Sequence, residues 1–232
     1  MGKVMRNVLL FCGILLLGAC THPAPQKPLS AVLEQERIEV PKGRSGDAPT
    51  DIRVAVVPTM PSDYEGIPVG TTPEGCPTLG SETPQITIHV FSDIQCPYCN
   101  QAHFKLVEWV RKHPQELQLV YHHFPLSFHQ NANNYARQAV CAAEQGKFWP
   151  VLADLFRSGY RPMDLRTLAK RHQMQPQEFI RCAAGKASQL TVDRDLAEGK
   201  RLNVRGTPSF FVDGLSLNYV DLENLLKAKL KE

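Results

Sequence analysis

The stretch ITIHVFSDIQCPYCNQAHFKLVEWVRK, residues 86–112, decides the fold. Residues 86–91 are rich in β-branched and aromatic side chains, which is typical of a buried strand. From Tyr98 onward the apolar residues recur at helical spacing. Cys96 and Cys99 lie between the predicted strand and the predicted helix. A cysteine pair at such a junction indicates thiol redox chemistry.

The position of the pair assigns a role to each sulfur. Free backbone N–H groups and a partial positive charge at a helix N-terminus stabilise a thiolate. In such motifs the pKa falls from about 8.5 to roughly 7, or to as little as roughly 3.5. Cys96 is therefore predicted to attack, and Cys99, one turn further on, to resolve the mixed disulfide. Pro97 suits the first helical turn because it lacks an N–H, and Tyr98 is expected to be exposed and to touch the substrate.

Two other interpretations of the pair are a structural disulfide and half of a zinc site. A structural zinc site normally has four ligands, so a second close pair of ligands is expected. The sequence contains no other CxxC and no HxxxH. His122 and His123 are interpreted as strand and turn residues. The sequence therefore favours redox chemistry, with no metal and no cofactor expected at the site.

The remaining elements follow the order strand, helical block, strand, helix, which predicts an α/β domain with a mixed sheet. The first helix is expected to end near residue 113. The later predicted elements are a strand at 117–124, helices at 132–143 and 148–156, helices starting at Pro162 and Pro176, a helix at 187–202, a strand at 209–212, a turn at 213–214 and a closing helix at 220–230.

Residues 1–19 are predicted to be a targeting segment. Lys3 and Arg6 form a basic start, and residues 8–17 are an apolar run that is too short to span a membrane. Loss of these two positive charges brings the formal net charge of +3 to about +1. So small a charge argues against a nucleic-acid partner.

The segment LGAC, residues 17–20, resembles the lipobox of bacterial lipoproteins. That resemblance implies that Cys20 is acylated and becomes the new N-terminus. Acyl chains would then hold the chain on a lipid bilayer. The alternative is ordinary secretion with Cys20 left as a thiol. Either way, we expect the protein in the bacterial cell envelope, with its domain facing the periplasm or the extracytoplasmic space.

Between the anchor and the domain lies a proline-rich segment. Residues 21–85 hold 11 of the 18 prolines, a density that interrupts helices and central strands. Residues 20–66 are therefore predicted to be a tether, with weak indications of a helix at 29–40 and a strand at 51–57. The domain is assigned to residues 67–232.

The chain resembles the DsbA-like thioredoxin-fold proteins, especially the branch that carries CPYC at 96–99. The match covers roughly residues 67–230. It implies a thioredoxin fold with an all-helical insertion at about 127–203. It also implies that Pro208 is cis, that its loop lies against the cysteine pair, and that the Thr207 backbone binds an extended substrate. The other shared residues are FSD at 91–93, FPL at 124–126, CA at 141–142, QGKFW at 145–149, Val204, GTP at 206–208, FFV at 210–212 and Gly214.

One position departs from the family pattern. Relatives often carry a glutamate six residues before the first cysteine, where it can take a proton from the resolving thiol. Val90 occupies that position here. His89 is adjacent but should point to the other face of its strand, as a packed histidine. The departure puts the proton relay in doubt and leaves the thiol chemistry intact.

Three further cysteines remain in the domain. Cys141 lies roughly opposite the alanine stripe of its helix, and Cys182 is assigned to the last helix of the inserted block. In an oxidising compartment we expect them to form a structural disulfide, and the alternative is two buried thiols. Cys76 is left over, and it could be free, pair between molecules or be a redox accessory.

The predicted activity is thiol–disulfide exchange with reduced or misoxidised extracytoplasmic proteins, in the direction of disulfide formation. A membrane redox partner would recycle the pair. The alternatives are a reductase, an isomerase and a non-enzymatic Cu(I) carrier that uses the same two thiols. Reduction potentials in such proteins run from about −120 mV for an oxidase to about −270 mV for a reductase. The residues between the two cysteines do not fix the direction.

Overall fold

A mixed sheet positions the site in the computed structural model, which describes residues 64, 66–158 and 161–230. The predicted targeting segment, Cys20, and the indicated helix at 29–40 and strand at 51–57 lie outside the described residues. None of the helices in the described part of the chain combines the length and the hydrophobicity that a bilayer-spanning segment needs.

Six strands form the sheet within the described residues, in the order β1-β2-β4-β3-β5-β6. β3 and β4 run parallel, and every other neighbouring pair is antiparallel. This confirms the predicted mixed sheet. The strands are β1 Val69–Thr71, β2 Pro77–Gly80, β3 Ile86–Ser92, β4 Leu117–His123, β5 Ser209–Val212 and β6 Leu215–Leu217.

Five of the seven helices in the described part of the chain lie between β4 and β5, where the inserted block was predicted. One predicted start is wrong. Pro162 does not begin a helix, because Asp164 caps that helix by accepting a hydrogen bond from the Thr167 N–H at 2.8 Å. The helices are α1 Pro97–Lys112, α2 Ala132–Ala143, α3 Phe148–Arg157, α4 Leu165–Arg171, α5 Pro176–Ala184, α6 Lys186–Arg201 and α7 Tyr219–Leu230.

The two faces of the sheet bury different clusters because side chains alternate along a strand. Val90 belongs to the large core that also contains Cys96 and Cys99 of the α1 side. Phe91, on the opposite face, packs with Phe124 instead. α6 covers this second face.

The β1–β2 hairpin was not predicted. Its turn is closed by a hydrogen bond from the Thr72 N–H to the Cys76 carbonyl at 2.9 Å. β2 then pairs with β4. Tyr64 also contacts the domain, since its hydroxyl donates to the Trp149 carbonyl at 3.0 Å. The folded part therefore includes a residue before position 67.

A disulfide ties the helical insertion together. Cys141 of α2 and Cys182 are bonded, with their Cα atoms 5.7 Å apart. Cys182 lies on α5, so its assignment to the last helix of the block is wrong, because α6 follows α5 before β5 begins.

Candidate active site

The structure places Cys96 at the N-cap of α1, with an extended backbone at φ −79° and ψ 122°. Pro97 lies in the first turn. The Cys96 carbonyl accepts from the Asn100 N–H at 3.1 Å, so the helix begins directly at the first sulfur. No acidic residue lies in the first turn to offset the positive end of the helix.

The two thiols are both free and differ in their access to solvent. Cys96 is 5% exposed and Cys99 1%, whereas Tyr98 between them is 71% exposed. The first sulfur thus lies just below the surface beside an exposed aromatic ring. The second sulfur is enclosed behind it.

The surroundings of the two thiols give them different pKa values. A hydrogen bond from the Cys99 thiol lowers the pKa of Cys96 to about 5, and backbone N–H groups of Cys99 and Tyr98 assist, although burial acts in the opposite direction. Burial raises the pKa of Cys99 far above its ordinary value, and its bond to Cys96 adds to this. Cys96 is therefore a thiolate at neutral pH and Cys99 a thiol.

The loop before β5 lies against the first cysteine. The Thr207–Pro208 peptide bond is cis. The Cys96 Sγ lies 3.4 Å from the Thr207 carbonyl oxygen. The structure therefore brings together Cys96, Cys99, Thr207 and Pro208, the arrangement that the resemblance to DsbA-like proteins implied.

A buried carboxylate holds the loop that leads into the pair. Asp93 Oδ1 accepts from the Gln95 N–H at 2.7 Å. Its Oδ2 contacts the Leu126 N–H at 2.7 Å and His129 Nδ1 at 2.8 Å. The Asp93 N–H also points at Cys99 Sγ, 3.4 Å away. The FSD motif contains Asp93 but does not indicate this positioning role, although an aspartate before a loop and helix is a common turn former.

Position 90 is apolar in the structure as well. Val90 is buried on the face that carries the cysteine pair. His89 points away from it and lies on the other face, where its Nδ1 is 3.0 Å from His122 Nε2. Both His122 and His123 lie in β4 and are buried, so both are strand residues and neither is a turn residue.

The third free thiol within the described residues is unlike the first two. Burial raises the pKa of Cys76 to about 11, and the nearby Asp195 carboxylate contributes. Cys76 is therefore a protonated thiol at neutral pH. A protonated thiol is a poor nucleophile.

Comparison with solved structures identifies the fold. The chain is similar to a thioredoxin-like oxidoreductase from Silicibacter pomeroyi, with 23% identity, a TM-score of 0.57 and coverage of 69% of this chain and 95% of that one. BdbD from Bacillus subtilis gives 18% identity, a TM-score of 0.59 and coverage of 70% and 96%. Pseudomonas aeruginosa DsbA2 gives 20% identity, a TM-score of 0.54 and coverage of 67% of this chain and 94% of that one. These likenesses confirm the predicted thioredoxin fold with a DsbA-like insertion.

Sequence comparison extends over a similar part of the chain. A family model described as Thioredoxin matches residues 72–228. Among curated proteins, Na(+)/H(+) antiporter NhaA 3 of Salinispora tropica is 31% identical over 138 residues, which are 58% of this chain and 21% of the antiporter. Antiporter NhaA 1 of Salinispora arenicola is 30% identical over the same length. The chain spans about a fifth of the length of these relatives.

Proposed function

The chain belongs to the thioredoxin family and has the DsbA-like fold of thiol–disulfide oxidoreductases, and we propose on this premise that it forms disulfides in extracytoplasmic proteins through Cys96 and Cys99. One observation carries the proposal. A thiolate at the N-terminus of α1 lies just below the surface, and a buried thiol bonds to it from behind.

The lowered pKa of Cys96 supports oxidation as the direction. Stabilising a thiolate stabilises the reduced pair, which makes the corresponding disulfide more oxidising. A pKa near 3.5 accompanies a potential of about −120 mV in a strong oxidase, and a pKa near 7 accompanies about −270 mV in a reductase. The pKa of about 5 for Cys96 lies between them and well below the ordinary value of a thiol.

The exchange itself needs two displacements. A substrate thiolate attacks Cys96 Sγ of the oxidised pair, the Cys96–Cys99 bond breaks, and Cys99 leaves as a thiolate that takes up a proton. A second substrate thiolate then attacks the substrate sulfur of the mixed disulfide, and Cys96 leaves as a thiolate. The substrate gains one disulfide and loses two electrons, which the pair receives. A membrane redox partner would remove those electrons.

Substrate contacts are assigned to the residues around the first sulfur. The exposed Tyr98 ring and Pro97 would meet the approaching chain, and the backbone of Thr207 beside Pro208 would bind it as an added strand. The short distance between Cys96 and the Thr207 carbonyl supports this assignment, because a chain bonded to Thr207 would pass directly over the sulfur.

The proposed setting is a lipid-anchored protein in the cell envelope. Residues 1–19 would be removed, Cys20 would carry the acyl chains, and residues 20–66 would tether the domain at 67–232 to the bilayer. The LGAC segment at 17–20 supports the anchor. Replacing Cys20 with serine should abolish incorporation of labelled fatty acid, and labelling that persists in the variant would contradict the anchor.

The direction is tested by the reduction potential of the pair. The detergent-solubilised full chain carrying Cys76→Ser is equilibrated with glutathione buffers, and its thiols are counted after quenching. We expect a potential closer to about −120 mV than to about −270 mV. We also expect reactivation of a reduced, disulfide-dependent enzyme that Cys96→Ser and Cys99→Ser both abolish, because neither variant can form the Cys96–Cys99 disulfide that is exchanged.

Two results would replace the proposal. A potential near the reducing end would make the protein a disulfide reductase. Absence of exchange, together with stoichiometric Cu(I) binding that Cys96→Ser and Cys99→Ser both remove, would make it a copper carrier.

A further inference from the structure

A second cluster of side chains, each of a type that can bind a metal ion, lies on the face of the sheet that α6 covers. Cys76 lies immediately before β2, His122 lies in β4 and Asp195 lies in α6. All three are buried, at 4%, 8% and 1% exposure. One ligand atom from each lies within 4.8 Å of the others. We propose that Cys76, His122 and Asp195 bind a divalent metal ion of the zinc type.

Two of the three separations are close to those that a tetrahedral ion imposes. Zinc binds sulfur at about 2.3 Å and nitrogen or oxygen at about 2.0–2.2 Å, which places sulfur about 3.6 Å from either atom at a tetrahedral angle. Cys76 Sγ lies 3.6 Å from His122 Nδ1 and 4.0 Å from Asp195 Oδ1. The first pair needs no movement, and the second must close by a few tenths of an ångström. Thiolate, imidazole and carboxylate groups are all zinc ligands in proteins.

Each ligand is oriented by a partner outside the cluster. His122 Nε2 lies 3.0 Å from His89 Nδ1. Donation of the Nε2 proton to His89 leaves the lone pair of His122 Nδ1 facing the cluster, as metal-binding histidines require. The His122 ring also stacks on Phe91, with ring centroids 4.5 Å apart. Asp195 Oδ2 accepts the His123 N–H at 2.9 Å, which leaves Oδ1 for the ion.

A cation already competes for the site. Arg194 Nη2 lies 2.7 Å from Asp195 Oδ1 and 3.5 Å from Cys76 Sγ. Its side chain is 39% exposed, and its other nitrogens donate to Asp195 Oδ1 and to the Glu74 carbonyl. Metal entry would require that these bonds break and that the guanidinium move into solvent. Metal entry would form the sulfur–metal bond, release the Cys76 thiol proton to solvent and leave the fourth position to water.

The site would not take part in disulfide exchange. Cys96 and Cys99 lie with Val90 on the α1 face, whereas His89 and His122 lie on the opposite face. A metal ion there would join the β1–β2 hairpin to β4 and α6. Its effect would therefore be to hold the edge of the sheet rather than to change the reacting sulfurs.

The test uses the full chain carrying Cys96→Ser and Cys99→Ser, so that the redox pair cannot bind metal. Co²⁺ and Zn²⁺ are the probes. We expect about one equivalent of Co²⁺ per chain with a thiolate-to-cobalt charge-transfer band, and displacement of Co²⁺ by Zn²⁺. Cys76 is unsubstituted in this protein, so its thiolate should produce the band. Absence of the band overturns the proposal.

Matched variants locate the site. Cys76→Ser should weaken Zn²⁺ binding by more than His89→Leu does, and His89→Leu should weaken it roughly 10- to 100-fold, as loss of an orienting partner does. Arg194→Gln should strengthen binding because the competing cation is gone. Unchanged affinity in Cys76→Ser, or weaker binding in Arg194→Gln, contradicts the assignment. Cys76→Ser in an otherwise unsubstituted chain should leave disulfide exchange unchanged.

Discussion

Replacing Cys99 with alanine removes the largest contribution to the low pKa of Cys96. The Cys99 thiol donates to the Cys96 thiolate, while backbone N–H groups of Cys99 and Tyr98 add smaller contributions that the substitution leaves in place. A hydrogen bond to a charged group contributes about 1.5–3 kcal/mol, and one pKa unit corresponds to about 1.36 kcal/mol. The pKa of Cys96 should therefore rise from about 5 by about 1–2 units.

The assay is the rate of iodoacetamide alkylation as a function of pH, in proteins that also carry Cys76→Ser. Because the thiolate is the nucleophile, the rate rises with pH through the pKa of Cys96 and is constant above it. Cys99→Ser is the matched control, since its hydroxyl still donates and its midpoint should stay near the parent value. A Cys99→Ala midpoint equal to that of the parent would refute the reasoning and assign the low pKa to the helix backbone.

Three further predictions concern stability. Replacing both Cys141 and Cys182 with serine opens a loop of separation 41 and should lower the free energy of unfolding by about 4 kcal/mol, as measured by urea denaturation. Burial lowers the pKa of His103 from 6.5 to about 3, so its stabilising contribution is complete above pH 6.5 and is lost as the pH falls towards 3. His103→Phe should therefore flatten the acid side of the stability curve by up to about 1.4 kcal/mol per pH unit, and an unchanged slope would contradict the buried neutral imidazole. Gly199→Ala would put a Cβ 2.5 Å from the Phe124 ring, so overpacking should outweigh the helix-propensity gain and cost about 1–2 kcal/mol in the same denaturation assay.

The part of the fold that could be predicted is the part with long, regular patterns. β3, β4 and β5 and the longer helices lie within a few residues of their predicted positions. The β1–β2 hairpin was not predicted because its strands have only three and four residues and lie among prolines. Such short segments carry too little periodicity to be distinguished from a tether. Pro162 was assigned to a helix start because proline suits that position, but the capping side chain of Asp164 decides where α4 begins.

The redox pair could be predicted because its residues are neighbours in the chain. The motif, the strand before it and the helix after it all lie within residues 86–112. The cluster of Cys76, His122 and Asp195 could not be predicted, because His122 and Asp195 are 46 and 119 residues from Cys76 in the sequence. Sheet pairing and the packing of α6 bring the three residues together, and no local sequence pattern predicts these tertiary contacts.

The bond between Cys141 and Cys182 also shows that a molecule has been oxidised after its synthesis. A newly made chain has two thiols at these positions, and two electrons must leave it before the insertion is cross-linked. In a compartment that keeps thiols reduced, this step does not persist. Under the proposed function, a protein that donates disulfides is then itself a substrate of disulfide formation, oxidised by another oxidant or by an already oxidised copy of the same chain. The mass of the isolated chain, lighter by the two hydrogens lost in the bond, would report whether a given molecule had completed that step.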